Sequence, residues 1–430
     1  MRNIECYIIM YKNNNNVKNL ILLTNFFPYG SGEPYLETEI KYYEDYFDNI
    51  YVCSLQLRPK DLETCRKLPS GKFKVLPIHK ASNIVYLLYA FRVLVDKNLY
   101  RELRKLAGEH RLSFKRLVLL FVYLSRSYYE AGKIRSWLKA EVVFPKQNKG
   151  AIYAYRFEYQ PYIALILKRN LPNYATLARG HGFDLYEFRR SENYLPLREF
   201  LLDNLDYTVM IAKNGLNYLS DKYPNHISKL VLSRLGTTDY GLGPVPKPND
   251  SIRIVSCSTI DNIKRIELIV EALALIKDVN VIWDHYGDGP NRDVVETKAK
   301  KQLGSNIQYK FHGFIDNPSL MGIYSQVPYH MFLNVSISEG VPVSIMEALS
   351  FGIPTIATDV GGTSEIVFDQ KNGFLIPADF NAKQLVKYIM EVYQDSLSSR
   401  SILRLEARKS WAENYSAEVN YHDFLSKYLN

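Results

Sequence analysis

An α/β protein of two doubly wound domains is the fold class that this sequence predicts, and three observations predict it. Short apolar runs suited to buried parallel strands, such as Asn19-Leu-Ile-Leu-Leu-Thr and Ile252-Arg-Ile-Val-Ser, alternate with amphipathic helical stretches. The alternation occurs twice, on either side of the proline-rich tract Pro244-Val-Pro-Lys-Pro-Asn-Asp250. At 430 residues the chain is long enough to bury two cores.

Residues 1–17, with the polar tract Asn13–Asn16, read as an N-terminal extension. The first domain is expected over 18–243. It opens with a strand at Asn19–Thr24, the loop Phe27–Pro34, a helix through Leu36, Glu39, Ile40 and Tyr43, and a strand at Asn49–Leu55. Residues 81–141 read as two or three amphipathic helices. Strands follow at Ala151–Tyr155, Tyr174–Ala178 and Tyr207–Ile211, with helices near Glu158–Leu171, Leu197–Leu205 and Asn214–Tyr223. Residues 244–250 are expected to link the domains. The second domain, 251–414, has strands at 252–256, 280–286, 307–311, 329–334, 354–358 and 373–376. Its helices are expected at 266–276, 291–303, 318–325 and 343–351, and a last helix at 415–430.

Composition excludes several classes. A hydrophobic content of 47% with 23% charged residues is that of a globular protein. No apolar run reaches the roughly 18–20 residues of a membrane span, and Met1–Met10 carries Glu5 with no small-residue cleavage site after it. Cys6, Cys53, Cys65 and Cys257 have no metal-ligand spacing, and reduced thiols in a cytoplasmic chain are expected. Net charge is +9, and the window Ala81–Glu141 holds twelve Lys/Arg against five Asp/Glu, interleaved with aromatics. That pattern suits an anionic membrane surface, with the chain peripheral at the inner face of the cell membrane. A solvated helical face is the plainer alternative, and no nucleic-acid-binding motif accompanies the charge.

The richest chemistry lies in Ser338-Glu-Gly-Val-Pro-Val-Ser-Ile-Met-Glu-Ala348, which reads as a loop breaking into a helix. Pro342 fits the first helical position, and Gly352 the helix end. The helix start offers free N–H groups and a positive dipole end, a natural anion site. Gly340 lets backbone approach a ligand. Glu347, five residues past Pro342, lies roughly 7–8 Å along the axis, within reach of ribose hydroxyls if a diphosphate sits at the tip. Glu339 would stand on the sugar side. Lys264, after a strand and loop, suits diphosphate oxygens. Gly30-Ser31-Gly32 is a weaker candidate for phosphate contact. His181, between Gly180 and Gly182, reads as an exposed imidazole in a crowded loop. No metal is expected, since no ligand cluster is present.

The string Ser336–Val367 closely resembles the hallmark of glycosyltransferase family 4, and Ser256–Lys264, Gly287–Pro290 and His312-Gly313-Phe314 fall in the family's order and spacing. Pro28–Glu33, Arg179–Tyr186 and Arg234-Leu-Gly236 match more loosely. The likeness covers roughly residues 18–425 and is to bacterial members that build exopolysaccharide, O-antigen or capsule units. It implies a GT-B fold, two Rossmann-like domains facing each other across a cleft, the first binding acceptor and the second nucleotide sugar. It further implies retaining, metal-independent transfer of a hexosyl-type sugar from a nucleotide diphosphate sugar to a saccharide or lipid-linked saccharide. On this chain Glu347 would hold the ribose, Glu339 the donor sugar, and Lys264 the diphosphate. Backbone at Gly340, Val341, Pro342 and Val343 would bind phosphate and sugar hydroxyls, and Phe314 would border the base. His181 would sit near the reacting centre, Gly32 near the diphosphate, and the C-terminal helix would return to the first domain. Gly287 belongs to the same donor-binding set. The family often has Arg where this chain has Ser258, and Arg265 stands where Gly is common. Arg265 could supply some of the missing charge. A GT-B epimerase or hydrolase and a non-catalytic nucleotide-binding subunit are the alternatives.

Overall fold

The computed structural model describes residues 17–30, 32–141, 143, 148–247, 251–398 and 401–429. Ser31, most of the N-terminal extension, the end of the expected linker and Asn430 lie outside the described residues. Contacts divide the chain into two units, one of residues 1–211, 215–233 and 421–430, the other of 212–214 and 234–420. The division thus falls ahead of the expected linker.

The first unit holds a seven-stranded parallel sheet in the order β3-β2-β1-β4-β5-β6-β7. Its strands are β1 (Lys18–Thr24), β2 (Asn49–Leu57), β3 (Phe73–His79), β4 (Lys149–Ala154), β5 (Tyr174–Gly180), β6 (Tyr207–Met210) and β7 (Leu230–Leu232). Both faces of β1 are buried, because alternate side chains point to opposite faces. Ile21 and Leu23 enter one core with the helices Phe114–Ala140 and Gln160–Lys168. Leu20 and Leu22 enter another with Phe424, Leu425 and Leu429. The strands β3 and β7 had no counterpart in the sequence pattern. Both are edge strands, and Lys74, Pro77 and His79 break the apolar run of β3. Residues 81–141 form four helices, Asn83–Leu88, Ala90–Leu94, Lys97–Gly108 and Phe114–Ala140, where two or three were expected.

The second unit holds a six-stranded parallel sheet in the order β10-β9-β8-β11-β12-β13. Its strands are β8 (Ile252–Cys257), β9 (Val281–Tyr286), β10 (Ile307–Phe311), β11 (Met331–Asn334), β12 (Thr355–Thr358) and β13 (Gly373–Ile376). The order reverses between β8 and β11, and in such sheets ligands bind beyond the carboxyl ends of the strands at that switch. Helices Ile266–Leu273 and Ala382–Ser396 cover one face, and Val343–Ser350 and Ile402–Asn414 the other.

One buried ion pair fixes the first unit. Arg179, on β5, donates to Glu39 at 2.6 Å with neither side chain exposed. Tyr43 donates to the same carboxylate at 3.0 Å, and the Phe424 ring lies 4.3 Å from the guanidinium. Burial pushes the Glu39 carboxyl up, and the guanidinium opposes it. Arg179→Ala strands that carboxylate and is expected to cost about 3–5 kcal/mol, read as a lower urea midpoint. The double substitution Glu39→Leu/Arg179→Met should recover most of the loss. An unchanged midpoint for Arg179→Ala would contradict this account.

Candidate functional site

Of the predicted donor residues of the second unit, Ser258, Lys264, Arg265, Glu339 and Gly340–Val343 follow the carboxyl ends of β8 and β11, the two strands at the switch. Lys264 Nζ lies 2.7 Å from Glu339 Oε1, and Asn334 Nδ2 donates to the same oxygen at 3.1 Å. Glu339 is buried and Lys264 mostly so. The Ile337 amide donates to the Ile263 carbonyl at 2.8 Å, tying the two loops along their backbones as well. Gly361 (φ 59°) closes the other side. A Cβ there would lie 2.0 Å from the Glu339 carbonyl, so only glycine admits this approach.

The helix Val343–Ser350 starts where expected and ends one place earlier, with Pro342 as its N-cap (ψ 100°) rather than its first helical residue. The missing N–H of proline is still harmless there. The amides of Gly340, Val341, Val343 and Ser344 have no acceptor among the described residues, whereas Ile345 is bonded to the Pro342 carbonyl at 3.1 Å. A Cβ on Gly340 would meet nothing within 4 Å, so the loop faces open space. This is a row of donors at a positive helix end beside an ammonium, the arrangement that binds phosphate.

Glu347 sits in the second turn of that helix and is only partly exposed. Asn317 Nδ2 donates to it at 2.6 Å. Burial pushes its carboxyl up to about 7, which the Asn317 bond partly offsets. The neighbouring Cys257 thiol is pushed up to about 12 by burial, with Glu347 adding to the rise and Lys264 opposing it. Sequence reasoning missed Asn317 and Asn334. Their one visible signal is a side-chain amide at a helix start and at the end of an apolar strand.

Ser258 and Gly287 pack together: a Cβ on Gly287 (φ 134°) would fall 1.8 Å from the Ser258 carbonyl. The Gly287 amide donates to the Gly313 carbonyl at 2.8 Å, so the loops after β8, β9 and β10 are joined. Beyond Gly313, Phe314 projects into solvent, 84% exposed. The His312 ring stacks on Tyr286 at 4.4 Å. Arg265 is occupied otherwise than expected. Its guanidinium donates to the carbonyls of Val335 (2.8 Å), Ala378 (2.7 Å) and Ser336 (3.3 Å). Its charge is therefore committed to holding the loop that carries Glu339. Among the described residues no three His, Cys, Asp or Glu side chains converge as a metal site would require.

Gly32 and His181 belong to the first unit. The Gly32 carbonyl accepts from Arg66. Next to it, Glu33 is buried, and its carboxylate accepts from the amides of Asn25, Phe26 and Phe27 at 3.0–3.1 Å. The amides that follow β1 are thus already satisfied by a side chain. His181 is buried, 8% exposed, against the expectation of an exposed imidazole. The Tyr155 ring lies 4.9 Å from it, and Asp184 stands 3.5 Å from Nδ1. Burial lowers its pKa, which favours the neutral ring. The flanking glycines serve close packing: a Cβ on Gly180 would lie 3.0 Å from the Met210 side chain.

Glu347 makes a prediction for the ligand-free protein. Its carboxyl is raised from 4.5 to about 7, so the native state binds its proton more firmly than the unfolded state. Stability from this group is full below the unfolded value and falls as pH rises from 4.5 to about 7. The difference in unfolding free energy between the wild type and Glu347→Gln should therefore shift over that window by at least about 1.4 kcal/mol, the equivalent of one pKa unit. A difference constant with pH would show that the carboxyl is not raised.

Comparison with known proteins places these observations. The model of glycosyl transferases group 1 matches residues 243–415. The chain is 26% identical over 249 residues to the GtfA subunit of the UDP-N-acetylglucosamine–peptide N-acetylglucosaminyltransferase of Streptococcus pneumoniae, covering 55% of this chain and 46% of that protein. It is 23% identical over 247 residues to the putative colanic acid biosynthesis glycosyltransferase WcaL of Escherichia coli, covering 56% and 60%. The chain thus spans about half the length of these curated relatives. The crystal structure of HepE from Anabaena in complex with UDP superposes with a TM-score of 0.63 at 16% identity, covering 95% of this chain and 99% of that one. The two parallel, Rossmann-like sheets are those of GT-B glycosyltransferases. Over residues 243–415 this chain is similar to the glycosyl transferases group 1.

Proposed function

We propose that this protein is a retaining glycosyltransferase of family 4, moving a hexosyl-type sugar from a nucleotide diphosphate sugar to a saccharide or lipid-linked saccharide acceptor in surface polysaccharide biosynthesis. The observation that carries the proposal is the Lys264–Glu339 pair at the switch point, beside the open amides of Gly340–Ser344. The names of the relatives support it, one the GtfA subunit of a UDP-N-acetylglucosamine–peptide N-acetylglucosaminyltransferase and one a putative colanic acid biosynthesis glycosyltransferase.

In this reading the diphosphate takes the helix start and draws Lys264 Nζ from Glu339. Glu339 then accepts from a donor-sugar hydroxyl, Glu347 accepts from the ribose, and Phe314 and its neighbours border the base. The bond from the anomeric carbon to the diphosphate oxygen breaks, and its electron pair leaves on the diphosphate. The acceptor oxygen bonds to the anomeric carbon on the same face, and its proton passes to the departing diphosphate oxygen. Lys264 and the amides stabilise the charge that develops there. No metal takes part. His181 borders the acceptor side of the reacting centre, and Gly32 the diphosphate. The chain works in the cytoplasm, peripheral to the membrane that carries its acceptor.

A thermal-shift panel of UDP, GDP and their sugars should find one nucleotide that stabilises the protein. Lys264→Met should weaken that nucleotide by about 1.5–3 kcal/mol, the range for a charged hydrogen bond, and Glu347→Ala by about 1–3 kcal/mol. Unchanged affinity of either variant in calorimetry would refute its placement. Turnover with donor and acceptor should survive EDTA. Rapid hydrolysis or epimerisation of donor alone would favour the alternative enzymes, and nucleotide binding without turnover on any acceptor a non-catalytic subunit.

A further inference from the structure

The helices Asn83–Leu88 and Ala90–Leu94 follow each other with one residue, Tyr89, between them, and this short helical rod carries both buried and exposed apolar side chains. Tyr86 and Val93 are buried, with the Tyr86 ring 6.1 Å and the Tyr89 ring 5.6 Å from Tyr129 on the long helix Phe114–Ala140. The opposite face carries Ile84, Leu88, Phe91 and Val95, spaced i, i+4, i+7 and i+11, and they are 72%, 77%, 75% and 64% exposed. The rod is not a loose tail. At its C-terminal end Asp96 caps the next helix by accepting from the Asn98 amide, and it holds Tyr128 at 2.8 Å. A fixed row of four large apolar side chains in water is uncommon on a soluble protein.

Charge says what covers the row. Much of the positive window around it is answered from elsewhere in the first unit. Arg101 pairs with Asp203, Lys105 with Glu199, Arg111 with Glu187 and Lys115 with Glu192. Arg92, Lys97 and Arg104 are exposed and have no carboxylate partner among the described residues. The sole acid between positions 80 and 97 is Asp96, which is buried. An apolar row with Arg92 within it and Lys97 just after it in the sequence, and with no exposed carboxylate between positions 80 and 97, fits an anionic bilayer surface. A second copy of the chain would set these cations against one another. No helix among the described residues is long and apolar enough to cross a membrane, so contact would be at the surface.

We infer that the face Ile84–Leu88–Phe91–Val95 docks the protein on an anionic lipid bilayer, the apolar row entering the acyl boundary while Arg92, Lys97 and Arg104 meet phosphate headgroups. This takes up the membrane partner of the proposed function and names its contact, but it rests on no donor or acceptor chemistry. Co-sedimentation of the full chain with vesicles of phosphatidylglycerol and phosphatidylcholine, against phosphatidylcholine alone, tests it. Binding should favour the anionic vesicles by roughly tenfold or more and weaken in about 0.5 M salt. Leu88→Ser/Phe91→Ser and Arg92→Glu/Lys97→Glu should each lower it by about tenfold while melting as the wild type does. A wild type that stays in the supernatant, or variants that bind like it, would overturn the inference. So would a self-associated wild type that Leu88→Ser/Phe91→Ser renders monomeric with vesicle binding unchanged. Because sedimentation reads no turnover, its failure and a failed transfer assay are separate results.

Discussion

Much of the second unit's site depends on one constraint, the attachment of the loop after β8 to the loop after β11. Strands β8 and β11 are neighbours only because the strand order reverses between them. That reversal leaves a crevice without a covering crossover, and the two loops span it. They are held by a backbone hydrogen bond from Ile337 to Ile263, by the Lys264–Glu339 ion pair, and by Arg265 on the carbonyls of Val335 and Ser336. Two cations thus divide the work. Arg265 fixes the backbone from below, and Lys264 keeps a labile partner. A carboxylate is a replaceable ligand for an ammonium, whereas three carbonyls around a planar guanidinium are a durable one.

The same helix that offers its N-terminus to an anion also carries Glu347, and the two features oppose each other electrostatically. A carboxylate placed at the mouth would compete for the amides. One set in the second turn, partly covered and bonded to Asn317, keeps its distance and its proton near neutrality. The apolar surroundings that raise this carboxyl belong to the core under the helix, with Ile345, Met346 and Leu349 fully buried.

The sequence made the second unit legible because its signals are local. A glycine, a proline and two glutamates at fixed spacing dictate a loop and a helix start, and each apolar strand is bounded by turn residues. Where the outcome hangs on distant partners, the sequence was mute. The direction of Arg265 is set by carbonyls some seventy and more positions away. His181 is covered by Tyr155 and hence buried, although glycines on both sides suggested freedom. The edge strand β3 was hidden by Lys74, Pro77 and His79, residues that guard an exposed edge and erase the apolar pattern. The helices Ala382–Ser396 and Ile402–Asn414 went unassigned, though both cover the sheet.

Glu33 gives the two sheets unequal roles. Both have the same strand order about their switch, so a crevice between the loops after the first and fourth strands recurs in each unit. In the first unit the amides of Asn25, Phe26 and Phe27 enclose the chain's own carboxylate. In the second, the amides of Gly340, Val341, Val343 and Ser344 have no acceptor among the described residues. A free anion therefore meets a carboxylate in one crevice and open donors in the other. The chain carries a built-in discrimination by charge: a single side chain takes up the amides of one crevice, and those of the other stay open to an acceptor.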